Sequence, residues 1–97
     1  MPFNSVRMGI GLPHWYSTDY GRTHVILCQI TTQAARDRYA VSLTDSDFTM
    51  GSLRQNSHIR PNRLFTADAA IILYRVGVIS STKQSEVTAK IVEILNT

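Results

Sequence analysis

Between His24 and Ile79 the apolar residues come in short, β-branched runs separated by turn residues. Only after Ser80 does their spacing change to that of a helix. Strands first and one helix last is not the alternation of an α/β fold. Val25-Ile26-Leu27-Cys28-Gln29-Ile30 reads as a buried strand. The polar residues 31–37 read as a loop. Tyr39, Val41 and Leu43 then alternate with polar or small residues, the mark of a strand with one solvated face. Asp45-Ser46-Asp47 opens a turn. Ser57 to Phe65 is extended, but Pro61 cannot donate to a ladder, so an edge or bulged strand is predicted. Thr66-Ala67-Asp68 is expected to turn the chain into a strand from Ala70 to Ile79, with a bulge or bend at Gly77. Ser81-x-x-Gln84 is a capping-box pattern. Val87, Ile91, Ile94 and Leu95 form one apolar stripe to lie on the sheet, with Glu86 and Lys90 paired on the wet side. The predicted fold class is mainly β (α+β): a small half-open barrel of antiparallel strands covered by a C-terminal helix. Residues 1–21 show no period. Gly9, Gly11, Pro13 and Gly21 interrupt them, Trp15-Tyr16 stands isolated, and neither helix nor strand is predicted there.

Ninety-seven residues are enough for one domain and one modest core. No apolar run approaches the roughly 18 residues that a membrane-spanning helix needs. The start Met-Pro-Phe-Asn does not resemble a signal peptide, so a cytoplasmic location is expected. A single cysteine, Cys28, allows no internal disulfide, and in a buried strand it reads as a small hydrophobe. His14, His24, His58 and Cys28 lack paired ligand spacing, so no metal or other cofactor is expected. The net charge is +3, and eight of the ten basic residues are Arg. The stretch from Arg54 to Arg63 holds Arg54, His58, Arg60 and Arg63 with no acid. Arg is the planar, bidentate phosphate binder, so a polyanion partner is one reading of this cluster. A solvated basic loop and edge strand is the other.

The ordered series of segments resembles the PemK/MazF family of toxins from toxin–antitoxin systems. The series begins with Val25-Ile26-Leu27-Cys28-Gln29-Ile30-Thr31-Thr32-Gln33, similar to the family's central strand and Ile-Thr-x-Gln segment. It continues through Tyr39 to Phe48, Gly51-Ser52-Leu53, Ser57 to Phe65, Ile71 to Val78, and Gly77-Val78-Ile79-Ser80 leading into a helix. It spans about residues 17–97 of a single domain 1–97, leaving 1–16 atypical. The resemblance implies an SH3-like barrel with a C-terminal helix, usually a homodimer. It implies metal-independent cleavage of single-stranded RNA at short sequences, by attack of the 2′-hydroxyl on the adjacent phosphate. It further implies a cognate antitoxin, with operator DNA bound through the toxin–antitoxin complex. Thr31 matches the family's site Thr. The family's Arg-Pro segment has no match: Arg7 stands at a similar separation from Thr31 but is followed by Met8-Gly9. Arg7 and Arg22 are the candidates to replace that Arg. Either the chain is truncated at its N-terminus, or its first residues are an out-of-frame remnant.

Each candidate also has a plainer role. Thr31 can simply satisfy a strand end, and Gln33 can be a solvated loop residue rather than a reader of a base edge. Arg54, Arg60 and Arg63 are the candidates for RNA phosphate contacts. Asp45 and Asp47 read as turn residues before they read as a carboxylate pair. Trp15 and Tyr16 could stack on bases or cap the core. With the family's Arg unmatched, weak cleavage is expected. A non-catalytic remnant that dimerises or binds an antitoxin, and a generic basic nucleic-acid-binding barrel, are the alternatives. If residues 1–16 supply no strand, one sheet edge stays open and self-association follows.

Overall fold

A computed structural model describes residues 3–9, 14–18, 23–33 and 36–97. They form seven antiparallel strands, β1 (Phe3–Gly9), β2 (His14–Thr18), β3 (His24–Thr31), β4 (Val41–Leu43), β5 (Phe48–Gly51), β6 (Ser57–Asp68) and β7 (Ile72–Ile79). One helix follows, α1 (Ser81–Leu95). The strand order is β4-β6-β3-β2-β1-β7-β5. Val41 and Leu43 from one end of that order share a core with Ile79, and Phe48 from the other end packs against it. The sheet therefore curls into the half-barrel that the sequence predicts. Val87 and Ile91 of α1 bring the helix onto the same core.

The N-terminus departs from expectation. β1 and β2 are central strands joining β3 to β7, so the anticipated open edge does not arise there. The true edges, β4 and β5, have three and four residues, and short edges resist pairing with other chains. The reason β1 and β2 escape pattern reading is that both their faces are covered. Val6 pairs with Tyr16, and both are fully buried in the main core. Arg7 pairs with Trp15 on the other face. There Trp15 joins a second cluster with Val25, Leu27, Ala69 and Ile72. Ser5, Arg7, Ser17 and Thr18 are buried polar residues, so the strands show no alternation of apolar and polar positions.

The predicted irregularities fall where proline and glycine require them. Cys28 pairs with Leu64 but Gln29 with Arg60, so Pro61, Asn62 and Arg63 bulge out of the β3–β6 ladder. On the β1–β7 side Val6 pairs with Gly77 and Arg7 with Arg75, leaving Val76 as the extra residue. A Cβ on Gly77 would lie 2.5 Å from the Met50 carbonyl oxygen, so only glycine lets β5 approach β7 here.

Three boundaries differ. Residues 66–68 extend β6 rather than turning, and the turn is a 3₁₀ segment, Ala69–Ile71, whose Ala70 N–H donates to Asp68 Oδ1 (2.8 Å). Tyr39 and Ala40 precede β4, because Tyr39 N–H donates to Asp37 Oδ1 (3.0 Å) and Ala40 N–H to the Asp37 carbonyl (3.1 Å). The helix cap is Ser80, whose Oγ accepts from the Lys83 N–H (3.2 Å), while the Gln84 amide donates to the Ile79 carbonyl (3.0 Å). Val87 is fully buried and Ile91 packs on the core, but Leu95 is 76% exposed and leaves the stripe. The helix ion pairs run three residues apart, Lys83–Glu86 (3.1 Å) and Lys90–Glu93 (3.9 Å), in place of Glu86–Lys90. Asp45–Asp47 is a 3₁₀ turn in which Asp47 Oδ2 accepts from the Thr44 N–H (2.8 Å), the turn role the sequence favours.

Candidate nucleic-acid site

Strand order alone assembles one row of side chains across β2, β1 and β7. Met8 of β1 pairs with His14 of β2 on one side and with Tyr74 of β7 on the other. These three line a cavity of about 530 Å³. Arg75 enters it from β7, Arg54 and Gln55 from the segment between β5 and β6, Ser57 from the start of β6, and Thr32 from just beyond β3. Among the described residues no Asp or Glu lines it. The lining thus includes two arginines, a histidine and hydroxyl residues, types that donate to a phosphodiester, with Tyr74 opposite Met8 and Arg75 opposite Arg7 in the β1–β7 register. Burial lowers the pKa of His14 below its ordinary 6.5, so its imidazole is neutral at pH 7. Arg54 and Arg75 are exposed at the rim, within reach of a polyanion.

The candidates that the sequence brings forward are spread over several places. Arg54 lines this cavity. Thr31 ends β3 opposite His58, and its hydroxyl accepts from the Gln33 N–H (3.1 Å), a local turn bond. It is the neighbouring Thr32 that lines the cavity. Arg7 is 4% exposed, and its guanidinium donates to the Thr18 carbonyl (2.9 Å), Ser17 Oγ and Ser5 Oγ (both 3.4 Å). It pairs with Trp15, the neighbour of His14, and its side chain lies on the face opposite the Val6–Tyr16 core. Arg22 lies outside the described residues. Arg63 is exposed in the β6 bulge, in a separate hollow with Gln29, Asn62, Leu64 and Phe65. His14, Thr32, Tyr74 and Arg75 escape sequence reasoning for this role, since no motif or spacing along the chain links them. Among the described residues no group of three or more His, Cys, Asp and Glu is placed to hold a metal ion, and no helix is long and apolar enough to cross a membrane.

Gln33 and Arg60 belong to a second cavity, about 480 Å³, with Arg36, Asp37, Arg38, Tyr39 and Asn62. Arg60 is committed there: its Nε donates to Asp37 Oδ2 (2.7 Å) and its Nη1 to Gln29 Oε1 (3.4 Å). Burial alone would raise the Asp37 pKa, but hydrogen bonds from Arg60 and the Tyr39 N–H, the Arg60 charge and Asn62 together bring it below 3.8. A carboxyl whose folded pKa is depressed stabilises the fold above its unfolded pKa. That contribution is lost as pH falls through the folded value. Asp37→Asn is therefore expected to lower the melting temperature at pH 7 by several degrees, since about 1 kcal/mol moves a domain of this size by about 4–8 °C. The difference from wild type should shrink below about pH 4. Thermal melts across a pH series measure it, and an equal deficit at every pH would refute the pair's role.

The sequence profile of a family described as PemK-like, MazF-like toxin of type II toxin–antitoxin system matches residues 16–95. No curated protein sequence matches the chain. Among solved structures, an endoribonuclease from Mycobacterial species is similar at a TM-score of 0.77 and 12% identity, over 99% of this chain and 91% of that one. The Mycobacterium tuberculosis toxin MazF-mt6 superposes at 0.73 and 15% identity, over 95% and 96%. A Mycobacterial endoribonuclease in complex with its cognate antitoxin gives 0.73 and 12% identity, over 99% and 94%. At these identities the structural likeness speaks for the fold.

Proposed function

Because the chain belongs to the PemK-like, MazF-like toxin family of type II toxin–antitoxin systems, we propose that it is an endonuclease of single-stranded RNA. The observation that carries this reading is the cavity lined by His14, Arg54 and Arg75, with no acid among its described lining residues. Attack of a 2′-hydroxyl on the adjacent phosphate develops a dianionic phosphorane. Guanidiniums stabilise such charge where it develops, so Arg54 and Arg75, both exposed, take the place of the family's unmatched Arg. The products are a 2′,3′-cyclic phosphate and a 5′-hydroxyl, and no step needs a metal ion. In this reading Arg7 supports the sheet, and Arg63 and Gln33, whose hollows share Asn62, guide the strand away from the cavity. Toxicity in a growing cell, a cytoplasmic setting, a homodimer and control by an antitoxin that also brings the complex to operator DNA complete the proposal. The antitoxin-bound endoribonuclease among the similar structures supports that partner.

The test is cleavage of a mixed-sequence single-stranded RNA in the presence of EDTA, with analysis of the product ends. Discrete fragments ending in cyclic phosphate are expected, with binding that weakens as salt rises. Loss of cleavage on adding EDTA would overturn the metal-free reading. Salt-dependent binding without any cleavage would overturn the enzymatic one, in favour of a binding remnant.

A further inference from the structure

Transesterification by a 2′-hydroxyl needs a group that removes its proton, and the guanidiniums assigned above cannot do so. A guanidinium carries only donors and offers no acceptor. The Thr32 and Ser57 hydroxyls are not bases near neutrality, and neither is a phenol in its ordinary form. We infer that His14 is the general base of this site, abstracting the 2′-hydroxyl proton of the RNA seated in the cavity. The inference rests on the endonuclease reading and names one further catalytic residue within it.

The placement of His14 fits the task. It opens β2 half-buried, its row shared with Met8 of β1 and Tyr74 of β7. The groups facing the same cavity are Arg75 and Tyr74 from β7, Arg54 and Gln55 from the β5–β6 segment, Ser57 from β6 and Thr32 beyond β3. The charged ones are both cations, and burial disfavours the imidazolium. The imidazole is then held in the form that accepts a proton, in the cavity that Arg54 and Arg75 also line. Its nitrogen takes the O2′ proton as the O2′–P bond forms and the P–O5′ bond breaks. The proton then passes to the departing O5′. His14 ends neutral, the RNA ends as a cyclic phosphate and a 5′-hydroxyl, and every atom is accounted for. A histidine is the one ordinary side chain whose protonation changes across this pH range.

The experiment compares wild type, His14→Gln and His14→Ala for single-turnover RNA cleavage between about pH 4.5 and 8. Melting curves and binding of an all-2′-deoxy analogue are measured in parallel. Wild type should show an acid limb with an apparent pKa at or below about 6.5. Both variants should lose about 100-fold or more in rate, the usual range for a general base. They should lose the acid limb, bind the analogue within about twofold of wild type, and recover part of the rate of His14→Ala with added imidazole. Folded variants that cleave at the wild-type rate would overturn His14 while leaving the endonuclease reading intact. So would a wild-type profile flat across the whole range, a result that needs no variant. Absence of any cleavage by wild type would overturn both.

Discussion

Tyr16→Ala is expected to cost about 3–5 kcal/mol, the usual range for emptying an aromatic site in a core. Tyr16 is fully buried, lies between Val6 and Cys28 in adjacent strands, and stacks on Phe3 at 5.1 Å between ring centroids. Its hydroxyl donates to the Phe3 carbonyl (2.8 Å), so Tyr16→Phe should cost only about 1 kcal/mol. Small domains hold about 5–15 kcal/mol in all. The alanine variant should therefore sit near the edge of folding, while the phenylalanine variant melts a few degrees early. Urea denaturation followed by fluorescence of Trp15 separates the two. A cost below about 0.5 kcal/mol for Tyr16→Ala would mean that β1 and β2 are not the middle of the sheet.

The N-terminal strands also mark where the sequence stops being readable. β3, β7 and α1 declare themselves by apolar, β-branched runs for the strands and a period of 3.6 for the helix, although Ile26 of β3 and Leu73 and Tyr74 of β7 are exposed. Pro61 announces the β6 bulge because a proline cannot complete a ladder. β1 carries Val6 toward one core and a buried arginine toward another environment, and nothing in Ser5-Val6-Arg7-Met8 distinguishes that from a polar loop. The site suffers in the same way. Arg7 has a chain separation from Thr31 that invites a catalytic reading, yet strand pairing commits its guanidinium to Ser5, Ser17 and Thr18. His14 and Tyr74 are distant in sequence and become neighbours of Met8 only because β1 lies between β2 and β7. Local resemblance reaches Thr31 and the basic stretch. It cannot reach a row created by topology.

Replacing Arg54 and Arg75 together by alanine is expected to lower RNA cleavage by about 100- to 1,000-fold, the cost of removing preorganised charge from a developing oxyanion. Both side chains are exposed at the rim of the cavity. Replacing them should change stability by less than about 0.5 kcal/mol, as surface substitutions usually do. Binding should weaken too, and the slope of log affinity against log salt should fall by about 0.7 for each phosphate of a single strand that the variant no longer neutralises. Arg7→Ala provides the opposite pattern. It empties a 4%-exposed position and strips the Thr18 carbonyl of a charged donor, so stability should drop by about 2–4 kcal/mol. Whatever activity Arg7→Ala loses should then follow its folded fraction, recovering at low temperature where the fold is restored. The Arg54/Arg75 double variant should remain inactive while fully folded. If that double variant cleaves RNA as wild type does, and Arg7→Ala is folded but inactive, the chemistry belongs to the other face of the sheet and the cavity is not the site.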